Sequence, residues 1–379
     1  MTIKHDNSTF QGKNATDEFF FALNSTPGVS FVVEAEALLE QYEADCSKLK
    51  CTGETEVFLR FHLSDISRQA SVLRTMLGTR DSFVSFVGQP PLNGGRIILE
   101  AWHLRPPDFE KSVIDYNGTH EVDIKFKNYE FLYHCCRKLK ADNSSNQTFE
   151  EFTTLENALK QRGGNVAENC LRTWIYCRDV DNNYAGLVKS RRELFHQYGL
   201  TDKTNYISST GIEGQCENHH RLIGMDSYCI FGLEAGQVEY MHALDHLSPT
   251  SEYGVTFERG TRIIFGDRSH YYISGTASID KNSEIVHPGN VSLQTDRTIE
   301  NISALLNNHD ADLSDLKIAV VYLRDANDAP LVEERLQTLL PKNLPRIMVK
   351  APICRPGWLV EIDAIGVNNS GNSSYKKFI

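Results

Sequence analysis

The sequence predicts an α+β fold of three tandem modules, each a mixed sheet backed by two helices, and two observations support this. The first is an internal repeat: segments 147–179 and 294–325 both begin Gln-Thr, continue through an amphipathic helix and a polar turn, and end in an apolar strand that closes Tyr-x-Arg-Asp. The second is a fainter copy of the same pattern that begins near Val33. We therefore expect domains at residues 1–110, 111–235 and 236–379.

The first copy shows the order of elements that we expect in each module. Apolar residues at helical spacing predict a helix from Val33 to Leu49, and an alternating run predicts a strand over residues 57–63. A second helical pattern follows from Ile66 to Leu77. Two further apolar runs, residues 83–87 and 96–102, complete the module as strands.

The second and third copies repeat this order. Their first helices carry apolar residues at three- and four-residue spacing, namely Phe149, Phe152, Leu155 and Leu159 in the second copy and Ile299, Ile302, Leu305 and Leu306 in the third. The strands that follow are centred on residues 174–176 and 318–323, and the second helices on residues 187–195 and 331–339. The closing strands are expected at 206–210 and 225–231 in the second copy, and at 346–351 and 358–365 in the third.

Composition narrows the class of protein. The 379 residues carry 39 Lys and Arg against 50 Asp and Glu, a formal net charge of −11, which disfavours a nucleic-acid partner. The longest apolar runs are strand-sized, so we expect no membrane association. Nine cysteines without a CxxC motif favour a reducing, cytoplasmic location. His242 and His246 have helical metal spacing but no evident third ligand, and no nucleotide-binding motif occurs, so we expect neither metal nor cofactor.

The third copy contains QTDRTIENI, VVYLRD, PRIMVK and LVEIDAIG. These motifs, spread over about 110 residues, resemble those of the RidA/YjgF superfamily, also called endoribonuclease L-PSP. The upstream segments RTWIYCRD, STGIEG and FERGTRI are more similar to the longer chorismatase-like branch of that superfamily. Residues 1–110 match in a general way, as a degenerate module.

The resemblance implies a fold and an assembly. Members of the family form trimers of a mixed sheet backed by two helices, with ligand pockets between neighbouring subunits. Three modules in one chain therefore imply a single-chain pseudo-trimer with three inter-module clefts. The sequence leaves open whether the chain remains a monomer or forms a further homo-oligomer.

The resemblance also implies site residues in the third module. Arg346 matches the family arginine that binds a substrate carboxylate, a role that suits the planar guanidinium fork. Glu361 matches the acidic position that is the proposed general acid in chorismatases, and Cys354 matches a pocket cysteine of some of them. The simpler alternatives are a surface ion pair for Arg346, a solvated carboxylate for Glu361 and a packed thiol for Cys354.

The other two modules show which parts of this site are lost. Aligning residues 225–228 on 360–363 leaves Asp226 as the acid of the second module, with Asn205 or Tyr206 in the place of Arg346. In the first module Ile98 occupies the acid position. We therefore expect the site to use Arg346 and Glu361, with a neighbouring module as its other wall.

Three more residues are candidates for lining the pocket. The chorismatase-like stretch contains an aromatic strand with Tyr176, a helical arginine, Arg191, and a strand arginine, Arg262. Core packing and a solvated helix face are equally good explanations of these residues.

Both activities implied by the resemblance involve the same chemical step. A deaminase of enamines or imines and a chorismatase each need an acid that protonates a C=C–N or C=C–O unit, after which water attacks the resulting cation. The sequence thus predicts a hydrolase or deaminase that acts on a small carboxylate bearing an enamine, imine or enolpyruvyl ether. The alternatives are a non-catalytic, regulatory small-molecule-binding protein of the same fold and, less favoured, a ribonuclease.

Overall fold

The computed structural model describes residues 3–13, 16–116 and 118–379. Its strands form one five-stranded and two six-stranded sheets, and helices cover one face of each. This confirms the predicted α+β fold of tandem modules. We use first, second and third module for the segments 4–105, 110–231 and 238–368, each of which contributes one sheet.

Each module has its own set of strands and helices. The first contains β1 (Lys4–Phe10), β2 (Asp17–Asn24), α1 (Phe31–Lys48), β3 (Glu56–Leu63), α2 (Ile66–Leu77), β4 (Phe83–Gly88) and β5 (Ile97–Arg105). The second contains β6 (Glu110–Tyr116), β7 (Thr119–Lys125), β8 (Glu130–Cys136), α3 (Ser144–Gln161), α4 (Val166–Asn169), β9 (Cys170–Cys177), α5 (Val180–Gln197), β10 (Ser208–Glu213) and β11 (Ile223–Phe231). The third contains β12 (Val238–Tyr240), β13 (Gly260–Ile264), β14 (Ser269–Ala277), α6 (Val291–Asn307), β15 (Leu316–Leu323), α7 (Ala329–Leu339), β16 (Arg346–Lys350) and β17 (Val360–Asn368).

The same strand pairing recurs in all three sheets. The strand after the first long helix (β3, β9 or β15) pairs in parallel with the strand after the second (β4, β10 or β16) and antiparallel with the closing strand (β5, β11 or β17). The closing strand also pairs with an earlier antiparallel strand, β2, β8 or β14. The closing strand is therefore central in each sheet and has partners on both sides.

Two differences from the expected elements have simple causes. The edge strands β1 and β6 precede the predicted repeat, and their exposed, mostly polar residues give no apolar run that would predict a strand. Helix α5 begins at Val180, about two turns before Leu187, where the predicted pattern begins, because Asp181 to Asn183 are polar and give no apolar spacing.

The sheets turn their uncovered faces towards one another. Aromatic contacts join all three pairs of modules: Phe58 to Trp174 at 6.4 Å, Tyr228 to Tyr272 at 5.3 Å and Trp102 to His270 at 6.2 Å between ring centroids. The phenylalanine, tyrosine and tryptophan rings among them belong to one continuous core, whereas the helices of the first two modules cover separate cores. The three modules thus form a closed ring around a shared aromatic interior, which leaves a cleft at each junction.

Candidate active site

A cavity opens at each junction of the ring. The cavity between the second and third modules contains about 530 Å³ of empty space, part of it open to solvent, and so does the one between the first and second. The cavity between the third and first modules is more open, with a volume of about 1030 Å³. Each is lined by a helix and an edge strand of one module and by residues of the next module.

Strand register shows which residues are equivalent in the three modules. Tyr322 in β15 pairs with Glu361 in β17, and the matching Tyr176 in β9 pairs with Gly224 in β11. His62, three residues before the closing Asp of the first copy, pairs with Ile98. The acid position is therefore Glu361 in the third module, Gly224 in the second and Ile98 in the first.

The expected alignment of the second module was wrong by two residues. Asp226 pairs with Trp174, as Asp363 pairs with Val320, so Asp226 is equivalent to Asp363 and not to Glu361. The shift by two kept the same face of the strand, so the alternating pattern did not reveal it. In the cleft between the first and second modules the sulfur of Cys216 lies against Gly224, where the other cleft has its glutamate.

Arg346 and Glu361 do not share a cleft, which corrects the expected pairing of these two residues. Arg346 lies on the edge strand β16 and lines the cavity at the third–first junction, where its Nη2 is 2.7 Å from Glu333 Oε1. By register, Ser209 takes the place of Arg346 in the second module, three residues from the predicted Tyr206. The edge strand of the third module faces the first module and its central strand faces the second, so residues of this one module are divided between two clefts.

Two more predicted residues lie away from the Glu361 cavity. Tyr176 lines the cavity at the first–second junction, and its hydroxyl is 3.4 Å from Asp226 Oδ2. Arg262 lies on β13, where its guanidinium forms ion pairs with Glu239 at 3.0 Å and Asp310 at 2.9 Å. The expected substrate contacts of Tyr176 and Arg262 are therefore not supported by their positions.

The cavity at the second–third junction brings together Glu361, Cys354 and Arg191. Glu361 comes from β17, Cys354 from the loop before it, and Arg191 from α5 of the second module, which forms the opposite wall. The expected contribution of a neighbouring module is thus seen in the geometry of this cavity. We treat it as the candidate active site.

A bulge in β14 shapes the floor of this cavity. The register of β14 against β17 shifts between Ile273 and Thr276, so Ser274 and Gly275 face one residue of the central strand. Ser274 Oγ accepts a hydrogen bond from Ser209 N at 2.9 Å, and Gly275 N donates to Thr210 Oγ1 at 3.1 Å. The bulge therefore ties the third module to β10 of the second beside Glu361.

Glycine is required at position 275 for the glutamate to reach its place. A Cβ on residue 275 would overlap Glu361 Oε1 and would lie 2.9 Å from the carboxyl carbon. The Glu361 carboxyl thus packs directly on the bulged backbone, in space that any other side chain would occupy.

Burial determines the charge of Glu361. Its side chain is 6% exposed, and burial raises its pKa from 4.5 to about 8, with the neighbouring Asp363 carboxylate adding to the shift. Arg172 and Arg259 oppose the shift but do not cancel it. Glu361 therefore carries a proton at neutral pH.

Arginine side chains dominate the charge of the cavity. Among the described residues that line it are Arg191, Arg259 and Arg355, against one carboxyl group, that of Glu361. Arg191 Nε donates to Thr256 Oγ1 at 3.1 Å and Arg259 Nη2 donates to the Ser248 carbonyl at 2.9 Å, so both are anchored. A cavity of this charge, with its glutamate protonated, attracts anionic ligands.

Cys354 is a neutral thiol in this setting. Burial raises its pKa to about 12, the nearby Glu361 adds to this, and a hydrogen bond with the Tyr184 hydroxyl opposes it. Burial likewise raises the pKa of Tyr184 well above its usual value. The pair supplies shape and weak hydrogen bonding, and it does not supply a thiolate nucleophile.

Sequence reasoning missed several residues of this cavity. Arg259 lies three positions before the proposed Arg262, Arg355 directly follows Cys354, and Tyr184 lies one helical turn past the start of α5. Gly275 stands within the family-like segment ISGTASI, but only the fold shows that the Glu361 carboxyl packs against it.

The described part of the chain has neither a cluster of metal ligands nor a helix that could span a membrane. No group of three or more His, Cys, Asp or Glu side chains there is placed to hold a metal ion. No helix within it combines the length and the apolar character needed to cross a membrane.

Comparison with known proteins links this architecture to one family. The family model for endoribonuclease L-PSP matches residues 265–368. The 3-aminoacrylate deaminase RutC of Acinetobacter baylyi is 30% identical over 95 residues, which is 25% of this chain and 75% of RutC. A RutC family protein of Pyrococcus abyssi is 32% identical over 95 residues, with the same coverage.

A solved structure extends the likeness to most of the chain. A crystal structure of chorismatase superposes with a TM-score of 0.65 at 19% identity, covering 83% of this chain and 93% of the chorismatase. The likeness to chorismatase is one of fold. The chain belongs to the RidA/YjgF superfamily, as the motifs of its third module predicted.

Proposed function

We propose that this member of the RidA/YjgF superfamily is an enzyme that hydrolyses a small carboxylate bearing an enamine, imine or enolpyruvyl ether, in the cleft between its second and third modules. The observation that supports this most strongly is a buried glutamate, Glu361, that is protonated at neutral pH in a cavity lined by three arginines. A protonated carboxylic acid beside bound anionic substrate is what this class of reaction needs.

The proton of Glu361 goes to carbon in the first step. Transfer to the terminal carbon of a C=C–O or C=C–N unit turns that carbon into a saturated one and leaves a cation at the carbon that bears oxygen or nitrogen. Water then adds to the cationic carbon, and a proton released from this water restores the Glu361 carboxyl. Collapse of the adduct gives a carbonyl compound and an alcohol from an enol ether, or a carbonyl compound and ammonia from an enamine.

The arginines orient the substrate for this step. Arg259 is near enough to Glu361 to lower the pKa of its carboxyl, and Arg191 is near enough to Cys354 to lower the pKa of its thiol. A carboxylate held by these guanidinium groups presents its adjacent C=C unit to the acid. The arginines also stabilise the carboxylate that Glu361 becomes after it gives up its proton.

The alternative of a non-catalytic binding protein leads to a different result in one experiment. The protein is incubated separately with chorismate and with an aminoacrylate generated in the assay, and pyruvate and ammonia are measured with coupled dehydrogenases. We expect release of at least one product above the buffer rate, and its loss in Glu361→Gln with the fold retained. Binding of these compounds without product release by the wild-type protein would instead support a binding protein.

A further inference from the structure

Asp363 is the most tightly held carboxylate near the candidate site. It lies two residues from Glu361 on the same face of β17. Its Oδ2 accepts hydrogen bonds from Arg172 Nη2 at 3.0 Å, Thr210 Oγ1 at 2.7 Å and Tyr322 Oη at 3.1 Å. The first two donors come from the second module and the third from the third module, so Asp363 joins both walls of the cleft.

We propose that Asp363 is a positioning residue, which acts on the reaction by keeping Glu361 as a neutral acid directed into the cavity. This role rests on the proposed function of Glu361. Burial raises the pKa of Asp363 above its usual value, and Arg172 and the Thr210 hydroxyl oppose this rise. The hydrogen bonds that Asp363 accepts from an arginine and two hydroxyl groups favour its charged form. A second negative charge on the same strand face is then unfavourable, and Glu361 retains its proton. Thr210 also helps to fix the position of the Glu361 carboxyl. Its hydroxyl oxygen accepts a hydrogen bond from Gly275 N, and the Glu361 carboxyl packs against Gly275.

Other charged and titratable side chains also surround Glu361. They come from β9, α5, the segment before β13, β15 and the loop before β17, namely Arg172, Tyr184, Arg191, Arg259, Tyr322, Cys354 and Arg355. Arg172 and Arg259 favour the ionised glutamate, and burial keeps the tyrosines and the thiol neutral. Asp363 is therefore the negative group among them that counteracts the arginines.

The chain contains a matched control for this proposal. Asp226 is equivalent to Asp363 by register and forms the same kind of junction, with Arg60 Nε at 3.0 Å and Ser85 Oγ at 2.7 Å. Arg60 also pairs with Glu100 at 2.8 Å, but Gly224 stands at the acid position of this cleft, so the junction has no carboxyl group equivalent to that of Glu361. A purely structural role predicts similar behaviour for the two aspartates, and a positioning role distinguishes them.

The experiment measures the pKa of Glu361 directly by 13C NMR of the side-chain carboxyl, with Glu361→Gln assigning the signal. Asp363→Asn should lower the Glu361 pKa by about one unit, the order expected on removing a neighbouring like charge. Asp226→Asn should leave the Glu361 pKa unchanged, although it also removes a buried carboxylate. Equal Glu361 pKa values in wild type and Asp363→Asn would overturn the proposal.

If Asp363→Asn does not fold, a second variant still tests the proposal. The double variant Asp363→Asn/Arg172→Gln removes the ion pair as a whole, which avoids a buried unpaired arginine. The Glu361 pKa should still fall, because Asp363 influences it more strongly than Arg172 does. The NMR measurement does not require turnover. If the protein hydrolyses none of the substrates tested but Asp363→Asn still lowers the Glu361 pKa, the result supports the positioning role and contradicts only the proposed function.

Discussion

Arg346 and Glu361 belong to the same six-stranded sheet but line different clefts. Arg346 is on the edge strand β16, paired with Glu333 at the third–first junction, and Glu361 is on the central strand β17 at the second–third junction. At the junction that holds Glu361, the second module presents Ser209 where the third module has Arg346. The arginines that line the candidate site are therefore Arg191, Arg259 and Arg355, and we propose that they bind the substrate carboxylate.

This division of residues predicts different outcomes for two arginine variants. Arg259→Gln should raise KM by about 10- to 100-fold, the range expected for losing one charge-assisted hydrogen bond to a substrate carboxylate. Arg346→Gln should leave kcat and KM near the wild-type values, since it loses an ion pair at another cleft. Steady-state kinetics of each variant checks this. A large rise in KM for Arg346→Gln would show that Arg346 binds the substrate carboxylate after all.

The pH dependence of turnover should follow Glu361 as an acid. Because its pKa is about 8, the rate should be constant below about pH 7 and fall as the pH rises through about 8. Turnover measured from pH 5 to pH 9.5 checks this. A rate that rises across the same interval would mean that Glu361 acts as a base or does not act at all.

The same pKa has a consequence for stability. The folded pKa of Glu361 lies above its usual value of 4.5, so the folded state binds a proton that the unfolded state has released. Between about pH 5 and pH 8 the wild-type protein should lose about 1.4 kcal/mol per pH unit of its free energy of unfolding relative to Glu361→Gln. Denaturant titrations of both proteins at several pH values check this, and parallel pH profiles of the two would contradict it.

Gly275 should be needed for the position of the acid. In Gly275→Ala the added methyl group displaces the Glu361 carboxyl, and we expect activity to fall by about 100-fold, since displacement of a catalytic group by about 1 Å has effects of that order. Gly53→Ala is the control, because a Cβ at residue 53 meets no atom within 4 Å. Kinetics and thermal unfolding of both variants check the prediction. Wild-type activity in Gly275→Ala would show that the carboxyl tolerates another position.

Cys354 should contribute little to chemistry. Its thiol is half-buried and has a pKa of about 12, so Cys354→Ser should reduce turnover less than 10-fold. Iodoacetamide labelling at pH 7.5, followed by mass spectrometry of the peptide, should find the wild-type residue unmodified. A covalent intermediate trapped on Cys354 would refute this description of the thiol.

The sequence predicted the fold better than the site, for a physical reason. The repeated Tyr-x-Arg-Asp segments and the helical spacings depend on local patterns, and these predicted the modules and the closing strand that carries Glu361. The site depends on how two modules meet. Strand register places Gly224 at the acid position of the second module, and the bulge in β14 lets Glu361 pack on Gly275. Alternation of apolar and polar residues determines neither the register nor the bulge, and it did not predict that Arg259 lines the cavity.

The most direct measurement is a crystal structure of the protein soaked with a small unreactive carboxylate such as benzoate. We expect the ligand in the cleft between the second and third modules, with its carboxylate bonded to Arg259 or Arg191 and its ring or chain against Glu361. A carboxylate bound instead beside Arg346 at the third–first junction, with the Glu361 cavity empty, would contradict the assignment of the active site.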